Sequence, residues 1–159
     1  MKKNILERGI YKTRIQNALL QSDNIKDLIL GDTSGLKPIE IIKNFKDHVK
    51  SHLFVDDTIS GKDTYIFFDV IMPDLRSQTK EIQIIVYGIC HRELLENYSK
   101  EGYFGNRADI LSEMIEETLL DESIIKQFGI GDLKLNNIQM YNSDSYYGCV
   151  MVFSVCNFR

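Results

Sequence analysis

The sequence predicts a single-domain α+β fold: a mostly antiparallel four-stranded sheet in β-β-α-β-β order, packed against an N-terminal helix and a central acidic amphipathic helix. Three observations carry this. Strand-like apolar runs occupy Thr64 to Met72 and Glu81 to Cys90, a helical repeat follows over Arg107 to Leu120, and two further strand-like runs cover Asp132 to Tyr141 and Tyr146 to Phe158. With 159 residues and 43% hydrophobic content, the chain can bury one core and is short for two domains. Residues 1–60 are read as a helical N-terminal part, and residues 61–159 as the sheet with its central helix.

Ile10 to Gln21 places Tyr11, Ile15, Ala18, Leu19 and Ser22 at helical spacing, with Lys12, Arg14 and Gln16 turned away. This predicts a first helix lying on the sheet. Ile25, Leu28, Ile29 and Leu30 form an apolar cluster that stops at Gly31, and Gly31 to Gly35 is turn-rich. Pro38 suits the first turn of a second helix, where its missing N–H has no intrahelical partner to lose, and Ile41, Ile42, Phe45 and Val49 give that helix one apolar face. His52 to Lys62, with Asp56, Asp57, Ser60 and Gly61, reads as an exposed connection.

Thr64 to Met72 carries apolar groups on both faces, which predicts a central or doubly covered strand. Pro73 has no N–H for a ladder bond and is expected to end it, with a polar turn over Asp74 to Gln78. The next strand alternates, Ile82, Ile84 and Val86 on one side and Glu81, Gln83, Ile85 and Tyr87 on the other. Asn106 is a plausible N-cap for the helix whose Ile110, Leu111, Met114, Ile115, Thr118 and Leu119 share a face. Its outward face carries Asp109, Glu113, Glu116 and Glu117, and the later acids gain nothing from the helix dipole. They read as a solvated face, or as a surface that meets a basic partner.

A net charge of -4 and a pI near 5.4 disfavour a protein that neutralises many phosphates, so no specific nucleic-acid binding is expected. Cys90, Cys149 and Cys156 lack metal-ligand spacing and read as buried thiols of a reducing cytosol. Neither a secretory leader nor a membrane-spanning run is visible, so the chain is expected to be soluble and intracellular when made.

Four groupings merit weighing for chemistry. His48 and His52 stand four apart and would share a helix face if the second helix extends that far, but a zinc site lacks a third ligand. Cys90 and His91 are adjacent in a strand and point to opposite faces, which separates a thiolate from its base. The glycines of Phe128 to Asp132 precede a strand, so a β-turn is a simpler reading than a phosphate loop. The paired carboxylates Asp56 and Asp57, or Glu116 and Glu117, show no sign of the desolvation an acid catalyst needs.

The runs GKDTYIFFDVIMPD, IQIIVYGICHRELL, GNRADILSEMIEETL and FGIGDLKLNNIQMYNSDSYYGCVMVFSVCNF follow in the order and spacing of tail-terminator or neck proteins of long-tailed bacteriophages. The chain resembles that family over Gly61 to Phe158, most specifically at Gly105, Arg107 and Asp109, at the FGIG turn and at the aromatic near the end of the last strand. The resemblance implies a small α/β sheet flanked by helices, no catalytic residues, no cofactor or metal, and a hexameric ring on the end of the tail tube. It also implies a virion protein at the head–tail junction, present in the host cytoplasm during assembly. Its partners would be further copies, the tail tube protein and a head–tail connector or head-closure protein, with DNA passing through the ring lumen.

A closed ring is built from heterologous contacts, and interfaces of that kind favour aromatic residues and Met. The strands Thr64 to Met72 and Tyr146 to Phe158 are expected to supply the surface, with Tyr146, Tyr147, Met151 and Phe153 as interface candidates, together with Arg107 and Asp109. The loop Leu75 to Lys80, including Leu75, Arg76 and Lys80, and the loop Asn97 to Gly105 are candidates for docking to the tube or the connector. The expected function is to cap the tail tube, end its growth and offer the head a platform. Alternatives are a head-closure adaptor on the portal side, a small cytosolic enzyme using Cys90, His91, His48 and His52, and a regulator that binds through the acidic helix.

Overall fold

The computed structural model describes residues 4–53, 61–75, 79–123 and 133–158. Three helices come first, α1 (Asn4–Gln21), α2 (Asp23–Leu30) and α3 (Pro38–His48), followed by the strands β1 (Val49–Lys50), β2 (Thr64–Asp74) and β3 (Thr79–His91). A short 3₁₀ turn at Arg92–Leu94 leads towards α4 (Arg107–Leu120), and β4 (Lys134–Asn142) and β5 (Tyr146–Phe158) close the chain. The sheet order is β1-β2-β3-β5-β4. The expected β-β-α-β-β unit is therefore present as one α+β domain, with β1 added in parallel beside Ile66 and Phe67 of β2.

The first third differs from the sequence reading in three places. The helix expected to start at Ile10 starts at Asn4, and the apolar cluster after it is itself a helix, because Ser22 Oγ accepts the Ile25 N–H at 3.2 Å and so caps α2. Gly31, at φ 69, ends that helix in a conformation that suits glycine. In α3, Pro38 holds the first turn as expected, yet of the anticipated apolar face Phe45 is fully buried whereas Ile42 is exposed. Val49 reaches the core from β1, since the chain turns extended at the end of α3 and pairs with Ile66.

β2 runs through Pro73 to Asp74 instead of ending at Met72. Its register with β3 shifts between Ile71 and Asp74, so the proline falls in an irregularity and no regular ladder bond is demanded of it. Ile66, Phe68 and Val70 of β2, Ile82, Ile84 and Val86 of β3, and Met151, Phe153 and Val155 of β5 form the sheet's side of one core with the helices. Gly88 lets α4 lie close, for a Cβ there would stand 3.2 Å from Ile115 Cδ1 and 3.5 Å from Leu111 Cδ2. Asn106 and Asp109 form a reciprocal capping box at the start of α4. The loop readings for Asp56, Asp57, Ser60 and Phe128 to Asp132 lie outside the described residues.

Candidate interaction surfaces

The two edges of the sheet are finished differently. Along the β1–β2 edge, α1 presents Arg8, Lys12 and Gln16 at successive turns. Arg8 Nε donates to Val70 O at 2.5 Å, Lys12 Nζ to Ser51 O at 2.9 Å and Gln16 Nε2 to Val49 O at 3.1 Å. Arg8 and Lys12 also meet the Asp69 carboxylate, at 2.5 and 2.8 Å. Burial pushes that carboxyl up, but the hydrogen bonds from Lys12 and the Val70 N–H and the two cationic charges outweigh it and hold it below its ordinary value. Lys12 and Gln16 were expected to turn away from the sheet; instead they cap carbonyls that β1 is too short to pair.

Among the described residues the opposite edge, β4, pairs on one side only, with β5. By register its Ile138 and Met140 point to the same side of the sheet as Met151 and Cys149, the side that carries α4. They extend beyond the helix cover and are 56% and 67% exposed. This nine-residue edge thus carries bare apolar side chains, a feature that ordinary edge strands avoid.

On the face away from the helices, Phe67, Ile89 and Tyr146 form a second buried cluster, flanked by Tyr65, Tyr87 and Tyr141. All three histidines of the sequence border it. His48 stacks on Tyr65 with ring centroids 5.4 Å apart, His52 lies 5.9 Å from Phe67, and His91 meets Tyr146 edge-on at 5.4 Å. The Tyr146 hydroxyl donates to Gly61 O, and burial, then the neighbouring Tyr65 and Asp63, push it up to about 12. These contacts give both His91 and Tyr146 packing roles. α3 ends at His48, so the helix face on which His48 and His52 would share a metal does not form. Among the described residues, no three His, Cys, Asp or Glu side chains gather to hold a metal ion. Cys90 lies on the helix side, with Thr64 Oγ1 at 3.6 Å from its sulfur, and burial pushes the thiol up.

The remaining candidate residues fall into distinct settings. Met151 and Phe153 are core side chains, and Tyr147, half-buried, stands between Cys90 and Asn142 in register. Arg107 is spent inside the fold: Nε donates to Thr64 Oγ1 at 2.7 Å, an Nη donates to Leu28 O at 2.5 Å, and the guanidinium lies over the Tyr98 ring. Asp109 belongs to the helix cap. Of the loop between β2 and β3, Leu75 is exposed, Arg76 lies outside the described residues, and Lys80 is described only through its backbone pairing with Asn157.

The loop before α4 is fastened at both ends. The Tyr98 hydroxyl donates to Asp27 at 2.8 Å and the Tyr103 hydroxyl to Glu117 at 2.8 Å. Burial, then the bond to Asp27, push Tyr98 up to about 12, so this donor keeps its proton. Directly after the second anchor Phe104 projects, 84% exposed, with Gly102 and Gly105 on either side of the Tyr103–Phe104 pair in positive φ. Neither Phe104 nor the β4 pair Ile138 and Met140 was singled out from the sequence, where each reads as one more apolar residue in an ordinary element.

Among the described residues, no helix is long and apolar enough to cross a membrane. A comparison with curated proteins gives no match. The family model YomW matches residues 11–155, from the first helix through the last strand, and the chain belongs to the YomW family, a family with a phage-type name.

Proposed function

We propose that this chain is a phage virion-assembly subunit that works by shape. Copies close into a hexameric ring on the end of the tail tube, stop further addition of tube subunits and present the surface on which the filled head docks. The observation that carries this reading is the unlike finish of the two sheet edges. One edge is met by α1, and the other, β4, has no strand beyond it among the described residues and carries Ile138 and Met140 exposed. The two flanks are unlike, and we read the contact between copies as heterologous, one flank of a subunit against a different surface of the next, the kind of contact that closes rings. The phage-type name of the family and the resemblance of Gly61 to Phe158 to tail-terminator proteins support the same setting.

The loop that carries Phe104 is the proposed contact with the tube. An aromatic side chain held out on a fastened loop loses little freedom on binding, which is the property of an interface anchor. The test is negative-stain imaging of the purified protein mixed with its own tail tube. A six-fold cap on one end of each tube supports the reading. Tubes of unregulated length with bare ends, or the protein found on portal connectors instead, count against it.

A further inference from the structure

We infer that two free copies of this chain join β4 to β4, antiparallel about a two-fold axis at Gln139, and so run their two sheets into one. Such pairing belongs to copies in solution and goes beyond the ring reading, which describes copies on the tube. β4 carries few of the devices that keep edge strands apart. From Leu135 to Ser143 the sequence has no charged residue, no proline and no glycine. Charges stand only at the ends of this stretch, Lys134 at one and Asp144, beside Arg92, at the other. Asn136, Asn137, Ile138, Gln139 and Met140 are all exposed, so the strand is bare on both faces of the sheet. Its register shift against β5 falls between Leu135 and Asn137, which leaves Asn137 to Asn142 as a regular track.

The geometry of an edge strand selects the occupant. The outward row of N–H and C=O groups on an antiparallel strand is its own complement under a two-fold axis, and a second copy carries the identical row. The other flank of that copy cannot take its place, because Arg8, Lys12 and Gln16 already hold carbonyls there. An axis normal to the sheet keeps every side chain on its own side, so each residue faces itself or one an even number of positions away. Centred on Gln139, the pairing sets Ile138 of each copy opposite Met140 of the other, and both bare apolar side chains gain a cross-strand neighbour. Centred one residue earlier it leaves Met140 facing Asn136, and one residue later it leaves Ile138 facing Asn142. The outer flanks of the joined sheet are both met by α1, so strand pairing stops at two copies.

Gln139 is the decisive position, because in this pairing it faces its own copy. Gln139→Lys sets two cations against each other at the axis, and Gln139→Glu sets two anions there. Sedimentation equilibrium at up to about millimolar concentration is expected to show the wild type passing from monomer to dimer and no further. Each variant alone is expected to dimerise at least about five-fold more weakly, and an equimolar mixture of the two to return to near wild-type strength, because lysine then faces glutamate. Gln139 is exposed, so thermal melting of dilute samples is expected to be unchanged in both variants, which checks that they fold. A wild type that stays monomeric or grows beyond dimers, dimers indifferent to both substitutions, or a mixture no stronger than its parts each overturns the pairing. Imaging of tube ends judges the ring separately: six-fold caps from a protein that never dimerises leave the ring standing, and dimers beside bare tube ends leave the pairing standing.

Discussion

Lys12 Nζ lies 2.8 Å from Asp69 Oδ1 and joins the first helix to the strand edge it covers. Asp69 sits in the middle of an apolar strand, so its charge is tolerable there because Lys12 and Arg8 meet it. Asp69→Asn is expected to destabilise the fold by about 1–2 kcal/mol at neutral pH, moderated by the partial exposure of Arg8. The carboxyl is held below its ordinary value, so its contribution is complete above the unfolded-state pKa of about 3.9 and is lost as pH falls through the lower folded value. Urea unfolding at a series of pH values should therefore show the gap between wild type and Asp69→Asn narrowing only in acid; a gap independent of pH would refute the pairing.

Arg107 ties three elements at once through Leu28 O, Thr64 Oγ1 and the Tyr98 ring. Arg107→Met keeps much of the stem packing and leaves those oxygens without their donor. A loss of about 2–4 kcal/mol is expected by chemical denaturation. Arg107→Lys should recover only part of it, because one ammonium cannot reproduce the two-pronged geometry. A neutral Arg107→Met would mean that the guanidinium is not holding these elements.

Two glycines in facing strands should respond unequally to an added methyl. A Cβ on Gly148 would fall 2.0 Å from Gly88 O and 2.8 Å from Ile89 Cα, both backbone atoms that cannot step aside. On Gly88 its nearest neighbour would be the end of a side chain, Ile115 Cδ1 at 3.2 Å. Gly148→Ala is expected to cost about 3 kcal/mol or more and Gly88→Ala about 1 kcal/mol. Thermal unfolding of the pair gives the order directly, and equal losses would contradict the strand spacing.

Phe104→Ala should leave stability within about 0.5 kcal/mol of wild type, since the ring is exposed and its loop is fastened through Tyr98 and Tyr103. If the ring anchors the subunit on the tube, binding to tube ends should weaken by about ten-fold or more. Co-sedimentation with tail tubes measures it. Undiminished binding would remove this loop from the docking surface.

The sheet and its central helix were legible because their apolar periods are long: seven alternating positions in β3, Glu81 to Tyr87, and a full face in α4 leave little choice of register. The Asn106 cap was legible too, as a short polar residue directly before that face. The first third was not, for reasons that can be named. β1 contributes two residues, too few for any period, and α3 buries a single side chain completely. Lys12 and Gln16 were misplaced because helical patterning sorts residues by hydropathy, whereas the edge they cover needs donors. Among the proposed interface residues, Met151 and Phe153 proved to be core, and Arg107 and Asp109 to serve the fold's own bonds. Inward and outward apolar residues look alike in a strand until its neighbours are known. The surfaces that stand bare, at Ile138, Met140, Ile39 and Phe104, carry no distinguishing residue type.

The polar stripe of α1 also bears on what the folded chain avoids. Unsealed β-strands recruit one another into fibrils, and a chain with two sticky flanks is at risk of this whenever it is concentrated. With Arg8, Lys12 and Gln16 occupying the carbonyls of one flank, successive copies have no continuous track along which to stack. Strand-on-strand stacking is thereby denied a second flank, so any contact between copies on that side uses something other than a bare β-edge.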